Sequence, residues 1–209
     1  MDPVVVFTTG RTGSTLICQN LAEHTNEPMT QERERVHSRI VHSHDPFWTA
    51  PTNNYVCVLS KRRDVFAQIL SMIISKRTNE FTDYTKKSIE PFEVEETEFE
   101  SSYWFIKCFY QTVDVQQFKK TIEIYYEDLV SDPDYLFRKF DISKLTNYGV
   151  TKKSPYWSHD MILNMRGLKT FFNQLEQQSL TDELLSDFKE SIKADLEQVY
   201  KTHYKKSLP

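Results

Sequence analysis

The stretch Thr9-Gly10-Arg11-Thr12-Gly13-Ser14-Thr15 places two glycines, one guanidinium and four hydroxyls directly after the apolar run Val4-Val5-Val6-Phe7. The whole chain has only four glycines, so two this close mark a place where the backbone bends tightly or approaches something closely. A strand, a glycine-containing turn and a helix N-terminus together present backbone N–H groups to a phosphate-like anion. The spacing is not that of a nucleoside-triphosphate loop. That loop carries a lysine between its second glycine and its last hydroxyl. Here Ser14 stands in that position and the cation comes earlier, at Arg11. A single phosphate needs fewer positive groups, and one cation with amides and hydroxyls would suffice.

Two further clusters carry chemistry. Lys61-Arg62-Arg63 follows an apolar run and by itself reads as a basic cluster at a strand end, solvated or able to fork onto an anion. Cys57 also lies six positions before Arg63, the spacing of a cysteine-phosphatase loop. That loop normally contains glycine, whereas Cys57 sits inside Val56-Cys57-Val58-Leu59 and reads as a buried structural thiol. The third cluster is His42-Ser43-His44-Asp45. Strand periodicity puts His42 and His44 on one side, where an imidazole of near-neutral pKa suits a proton acceptor. With Asp45 the same pair is also a candidate metal set.

These groups need positioning by a core, and the hydrophobic pattern supplies one. Strands are expected at residues 4–8, 39–44, 55–60 and 121–126. Helices are expected at 14–24, from about 64, from about 98 to 115, and at about 181–203. The last carries Leu185, Phe188, Ile192, Leu196 and Val199 on one stripe. Strands separated by helices predict an α/β fold with a parallel sheet. The acidic stretch at about 78–100 has no clear period and reads as a solvated insertion. Trp48, Trp157 and the Tyr103-Trp104 pair are candidates either for the core or for lining a ligand pocket.

Composition narrows the classes. Twenty-six basic against 30 acidic residues give a net charge of −4, which argues against a dedicated nucleic-acid binder. Three scattered cysteines argue against a disulfide scaffold and suit a reducing compartment. The first residues do not read as a secretory leader and no run is long enough for a bilayer, so a cytoplasmic protein without a membrane partner is expected.

The segments resemble, in order, the sulfotransferases that use 3'-phosphoadenosine-5'-phosphosulfate (PAPS). Val5-Val6-Phe7-Thr8-Thr9-Gly10-Arg11-Thr12-Gly13-Ser14-Thr15-Leu16 is similar to their 5'-phosphosulfate loop. Arg62-Arg63-Asp64, Ala67-Gln68 and Ser71 are similar in wording to the trehalose-sulfotransferase-like branch. Arg39-Ile40-Val41-His42-Ser43-His44-Asp45-Pro46-Phe47 is similar to the cytosolic members' segment ending in a catalytic histidine. Ile122-Glu123-Ile124-Tyr125-Tyr126-Glu127-Asp128-Leu129 followed by Asp132-Pro133 completes four blocks spread over residues 4–170.

The resemblance implies one domain over 1–209, a P-loop-type parallel sheet flanked by helices on both faces. It implies an enzyme moving a sulfonyl group from PAPS to a hydroxyl, with an amine as the lesser alternative, of a small-molecule or carbohydrate acceptor. The transfer would be in-line and need no metal. Gly10, Arg11, Thr12, Gly13, Ser14 and Thr15 would hold the 5'-phosphosulfate. Arg63 and Ser71 would hold the 3'-phosphate, with Lys61 and Arg62 as neighbouring candidates, and Tyr126 would lie beside the adenine. Met165-Arg166-Gly167-Leu168-Lys169 is similar to a loop over the nucleotide, from which Arg166 would add a cation. His44 takes the base position, with Glu32 and Glu34 as carboxylate alternatives. Arg11 and His42 would steady charge on the leaving phosphate. Leu16 stands where many members have tryptophan, so that adenine contact must come from elsewhere. A non-catalytic nucleotide-binding module and a divergent P-loop kinase are the competing expectations.

Overall fold

The computed structural model describes residues 1–31, 39–50, 52–78, 90–132, 134–142 and 161–204. Strands β1 (Val4–Thr8), β2 (Met29–Gln31), β3 (Ile40–Ser43), β4 (Val56–Lys61) and β5 (Lys120–Tyr125) form one parallel sheet in the order β2-β3-β1-β4-β5. Parallel neighbours need long crossovers. Helix α1 (Ser14–Thr25) supplies the one between β1 and β2, and α2 (Val65–Thr78) with α3 (Glu96–Thr112) the one between β4 and β5. Short helices α4 (Tyr126–Ser131) and α5 (Tyr135–Phe140) follow β5, and α6 (Met165–Leu175) and α7 (Asp182–Tyr204) come last.

Strand β1 reads as an unbroken apolar run because it is central, with β3 and β4 on its two sides and helices over both faces. Val4 and Val6 pack with Ile17 and Leu21 of α1 and with Leu129 and Leu136 beneath the same face. Val5 and Phe7 pack the other way, with Cys57, Leu59, Phe109 and Phe118. A third apolar cluster joins α2, α3 and α6 around Phe66, Phe99 and Leu168. From β1 the chain goes to β2 and β3 on one side, then crosses to β4 and β5 on the other. The strand order thus reverses at β1, and in open parallel sheets ligands usually sit in the crevice outside the carboxyl ends of the strands at such a point.

The α/β architecture matches the expectation from sequence, and three local readings are corrected. Strand β2 was not foreseen: three residues at a sheet edge are too few to show a period, and their place is set by pairing with β3. Residues 165–169, expected as a loop, open α6 instead. Met165, Leu168, Phe171, Phe172 and Leu175 recur at helical spacing and pack on the α2–α3 layer, which outweighs the weak helix propensity of Gly167. The acidic insertion is not wholly solvated either. Phe92 bridges to Ile162, Val94 is buried, and the Asn164 carboxamide accepts from the Val94 N–H at 3.1 Å and donates to its carbonyl at 2.8 Å. Residues 79–89 of that segment lie outside the described residues.

Leu185, Phe188, Ile192 and Leu196 of α7 are only half-buried, and the helix meets α3 through an edge-on contact of Phe188 with Phe105 at 5.8 Å. Among the described residues, no helix is long and apolar enough to cross a membrane. Phe99 is fully buried and makes ring contacts with Phe66, Phe171 and Phe172. Phe99→Ala should therefore lower unfolding free energy by about 3–5 kcal/mol in denaturant titration. A loss below about 1 kcal/mol would contradict this packing.

Candidate functional site

The turn between β1 and α1 is held in an uncommon backbone. Gly10, Arg11 and Gly13 have φ of 89°, 58° and 77°. Arg11 is the costly one, because a side chain in the left-handed region is strained by about 1–3 kcal/mol unless its surroundings fix it. Gly13 is required twice over. Its φ is positive, and a Cβ there would stand 3.1 Å from Tyr126 Cδ2. Gly13 is also the N-cap of α1, with no side-chain cap bond and no acid in the first turn. Ile17 is the first amide to bond back into the helix, to the Gly13 carbonyl at 3.1 Å. The amides of the first turn therefore have no intrahelical acceptor and face the crevice end of the sheet.

Hydroxyl chemistry fixes the direction of the bonds that brace this turn. The Gly10 N–H donates to Thr8 Oγ1 at 2.9 Å, and Ser60 Oγ donates to the Thr12 carbonyl at 3.1 Å. With one proton per hydroxyl, Thr8 must then donate to Thr12 and Thr12 to Ser60, each at 2.8 Å. A second chain runs beside it. Gln68 Nε2 donates to Thr9 Oγ1 at 2.8 Å and to the Gly10 carbonyl at 2.9 Å, Thr9 lies 3.3 Å from Tyr110 OH, and Tyr110 donates to the Ser60 carbonyl. Burial pushes the Tyr110 phenol up to about 12, so it stays a donor. Directed chains of this kind reinforce one another in a buried setting.

This geometry reassigns Thr12. Its side chain is fully buried and its hydroxyl is committed to Thr8 and Ser60, so it braces the turn rather than reaching an anion. Ser14 is buried and its Oγ lies 2.9 Å from His42 Nε2, whereas Thr15 is partly exposed on the first turn of α1.

The two histidines are brought together, with ring centroids 4.9 Å apart. His42 is buried, and burial followed by the neighbouring His44 holds its pKa down to about 4. His44 is more exposed, yet surrounding protein still lowers its pKa, an effect partly opposed by its bond to Thr8. The Thr8 carbonyl can only accept, so His44 Nδ1 carries the proton at 3.1 Å and the ring lone pair lies on Nε2. Asp45 Oδ1 accepts from the Phe47 N–H at 2.9 Å, shaping the turn after β3. Among the described residues, no group of three or more His, Cys, Asp or Glu side chains is placed to hold a metal ion.

The cations divide in a way the sequence left open. Arg11 Nε donates to Ser71 Oγ at 2.9 Å, uniting two motifs 60 residues apart. Arg62 lies over the Tyr126 ring at 5.0 Å, 3.7 Å from a Glu127 carboxylate oxygen, with its Nε buried and lacking a hydrogen bond. Tyr126 in turn touches the Gly13 position. Arg63 turns the other way. It forks onto both Asp128 oxygens at 2.6 and 2.8 Å, stacks over Tyr125 at 4.4 Å, and lines a groove of about 620 Å³ along β5 with Lys120, Tyr135 and Lys139. Lys61 pairs with Glu123. Arg62, not Arg63, is thus the cation of this cluster that sits beside the turn. Arg166 is exposed on the first turn of α6.

Other expectations resolve as packing. Cys57 is fully buried and burial pushes its thiol up to about 12, far from a thiolate nucleophile. Trp48 stacks on Phe118, and Tyr103 OH donates to Glu176 at 2.9 Å to lock α3 onto the end of α6. Glu32, Glu34 and Trp157 lie outside the described residues. Tyr110 was not singled out from sequence, and Gln68 entered only through the Ala67-Gln68 wording, with no role attached. The available signal was Gln68 and Ser71 as two polar residues three apart within the otherwise apolar residues 65–74 of α2. The chain matches no family model, no curated protein and no solved structure.

The low pKa of His42 has a consequence for stability. Above about pH 6.5 both folded and unfolded His42 are neutral. As pH falls toward about 4 the unfolded imidazole takes up a proton that the folded one refuses, so stability is lost across that window. Between about pH 7 and about pH 5, wild type should lose about 2 kcal/mol more unfolding free energy than His42→Gln. Parallel pH profiles for the two proteins would contradict the burial of a neutral His42.

Proposed function

We propose that the protein is a sulfotransferase that takes its sulfonyl group from 3'-phosphoadenosine-5'-phosphosulfate and passes it to a hydroxyl of a small-molecule or carbohydrate acceptor. The observation that carries this reading is the Arg11–Ser71 bond, because it joins a one-phosphate turn to the helix expected to hold the second phosphate. The residues present fit such a donor. The uncapped first turn of α1 offers amides to a phosphate, and Arg62 keeps a buried Nε without a hydrogen bond next to Tyr126, an aromatic face suited to a base.

The donor supplies an activated sulfonyl group on a good leaving phosphate. The residues then have three tasks. The turn amides and Arg11 hold the phosphate and meet the negative charge that develops on it. The carboxyl end of the sheet would hold the acceptor oxygen opposite the phosphate, as exchange of the S–O bond to phosphate for one to the acceptor requires. His44 takes the acceptor's proton on Nε2, the nitrogen its bond to Thr8 leaves as the basic one. A neutral imidazole is the competent form, and the lowered pKa of His44 favours it near neutrality.

Adenosine 3',5'-bisphosphate at about one hundred times its Kd should raise the melting temperature by about 5–10 °C, whereas ATP with magnesium should not. The reverse pattern would overturn the reading in favour of a kinase. For the second phosphate, Arg62→Ala should weaken bisphosphate binding about tenfold or more, and Arg63→Ala distinctly less, because Arg63 is already occupied by Asp128. A larger loss in Arg63→Ala, measured by calorimetric titration, would return the role to Arg63.

A further inference from the structure

The turn reaches its strained conformation with help from one residue that touches no expected ligand. We infer that Gln68 is a positioning residue: it holds the Gly10–Arg11 peptide in the one orientation that aims the Arg11 N–H at a bound anion. This rests on the proposed phosphate-binding role of the turn.

Gln68 is 1% exposed on α2, and its Nε2 donates to both Thr9 Oγ1 and the Gly10 carbonyl. The carbonyl can only accept, so the carboxamide orientation is fixed. In a trans peptide the C=O of one residue and the N–H of the next point in opposite directions. Pinning the Gly10 carbonyl toward α2 therefore turns the Arg11 N–H away from α2, to the side on which α1 begins. One helical turn further on, Ser71 accepts from Arg11 Nε. One face of α2 thus bonds on both sides of Arg11, to the preceding carbonyl through Gln68 and to the guanidinium Nε through Ser71.

The peptide has freedom to go wrong without this bond. Gly10 has positive φ, and a residue without Cβ adopts alternative backbone conformations readily. A flipped peptide would present a carbonyl oxygen to the anion in place of an N–H. Gln68 removes that alternative, and with it a repulsive contact.

The test uses the full chain with Gln68→Glu and Gln68→Met. Each is titrated calorimetrically with adenosine 3',5'-bisphosphate and, separately, with inorganic phosphate. Glutamate keeps the shape but offers no donor when ionised, and it regains one when protonated. At high pH, Gln68→Glu should bind the bisphosphate about tenfold or more weakly than wild type. That deficit should shrink as pH falls from about 9 to about 6, because a buried carboxyl takes up its proton in this range. Gln68→Met should be equally weak at every pH. Loss of packing alone would give no such pH-dependent rescue.

Wild-type affinity in both variants, or a Gln68→Glu deficit that does not narrow on acidification, overturns the inference while leaving the nucleotide reading intact. Wild-type binding of phosphate but not of the bisphosphate removes the nucleotide reading, and the ratio of phosphate affinities then decides the role of Gln68. Binding of neither probe by wild type overturns both.

Discussion

Everything at the proposed site depends on keeping a backbone in a conformation it would not choose. Three of the four residues from Gly10 to Gly13 have positive φ, and one of them, Arg11, has a side chain. Two directed hydrogen-bond chains hold this shape, one through Thr8, Thr12 and Ser60 and one through Gln68, Thr9 and Tyr110. They anchor the turn to β4, α2 and α3, which are themselves fixed by the packed layers on both faces of the sheet. The strain is thus met by the core, and the turn arrives already shaped.

The same arrangement explains the division of labour among polar groups. Buried hydroxyls brace, and groups nearer the crevice are left for chemistry. Thr12 and Ser60 belong to the first class; the proposed function gives Thr15, His44 and the amides of the first turn of α1 to the second. His42 stands between them, buried and neutral, bonded to Ser14 and stacked at an angle on His44. Its low pKa keeps a positive charge out of the pair near neutrality, which favours a basic lone pair on His44.

Much of the frame was legible in the sequence because its signals are strong and local. The continuous run of β1 announces a central strand, the paired glycines announce a tight turn, and the spacing of Leu16, Ile17 and Leu21 announces a helix. The parts that were not legible depend on tertiary pairing. Strand β2 is too short to carry a period. The helix α6 was obscured by Gly167, although its apolar residues had the right spacing. The choice between Arg62 and Arg63 turns on which way adjacent side chains leave the end of a strand, and a one-residue step reverses it. Asp128, lying 65 residues from Arg63 in sequence, decides the matter by claiming its guanidinium. Likewise the polar spacing of Gln68 and Ser71 marks a face of α2 but not its task, which comes from where α2 lies against the turn.

The central claim is that the backbone amides of residues 11–15 receive a phosphate. Amide-resolved NMR during titration with adenosine 3',5'-bisphosphate tests it most directly. The largest shifts should fall on Arg11, Thr12, Gly13, Ser14 and Thr15, with smaller ones at Arg62 and Tyr126. Saturable binding that leaves those five amides unmoved and instead shifts the β5 groove around Lys120 and Lys139 would contradict it.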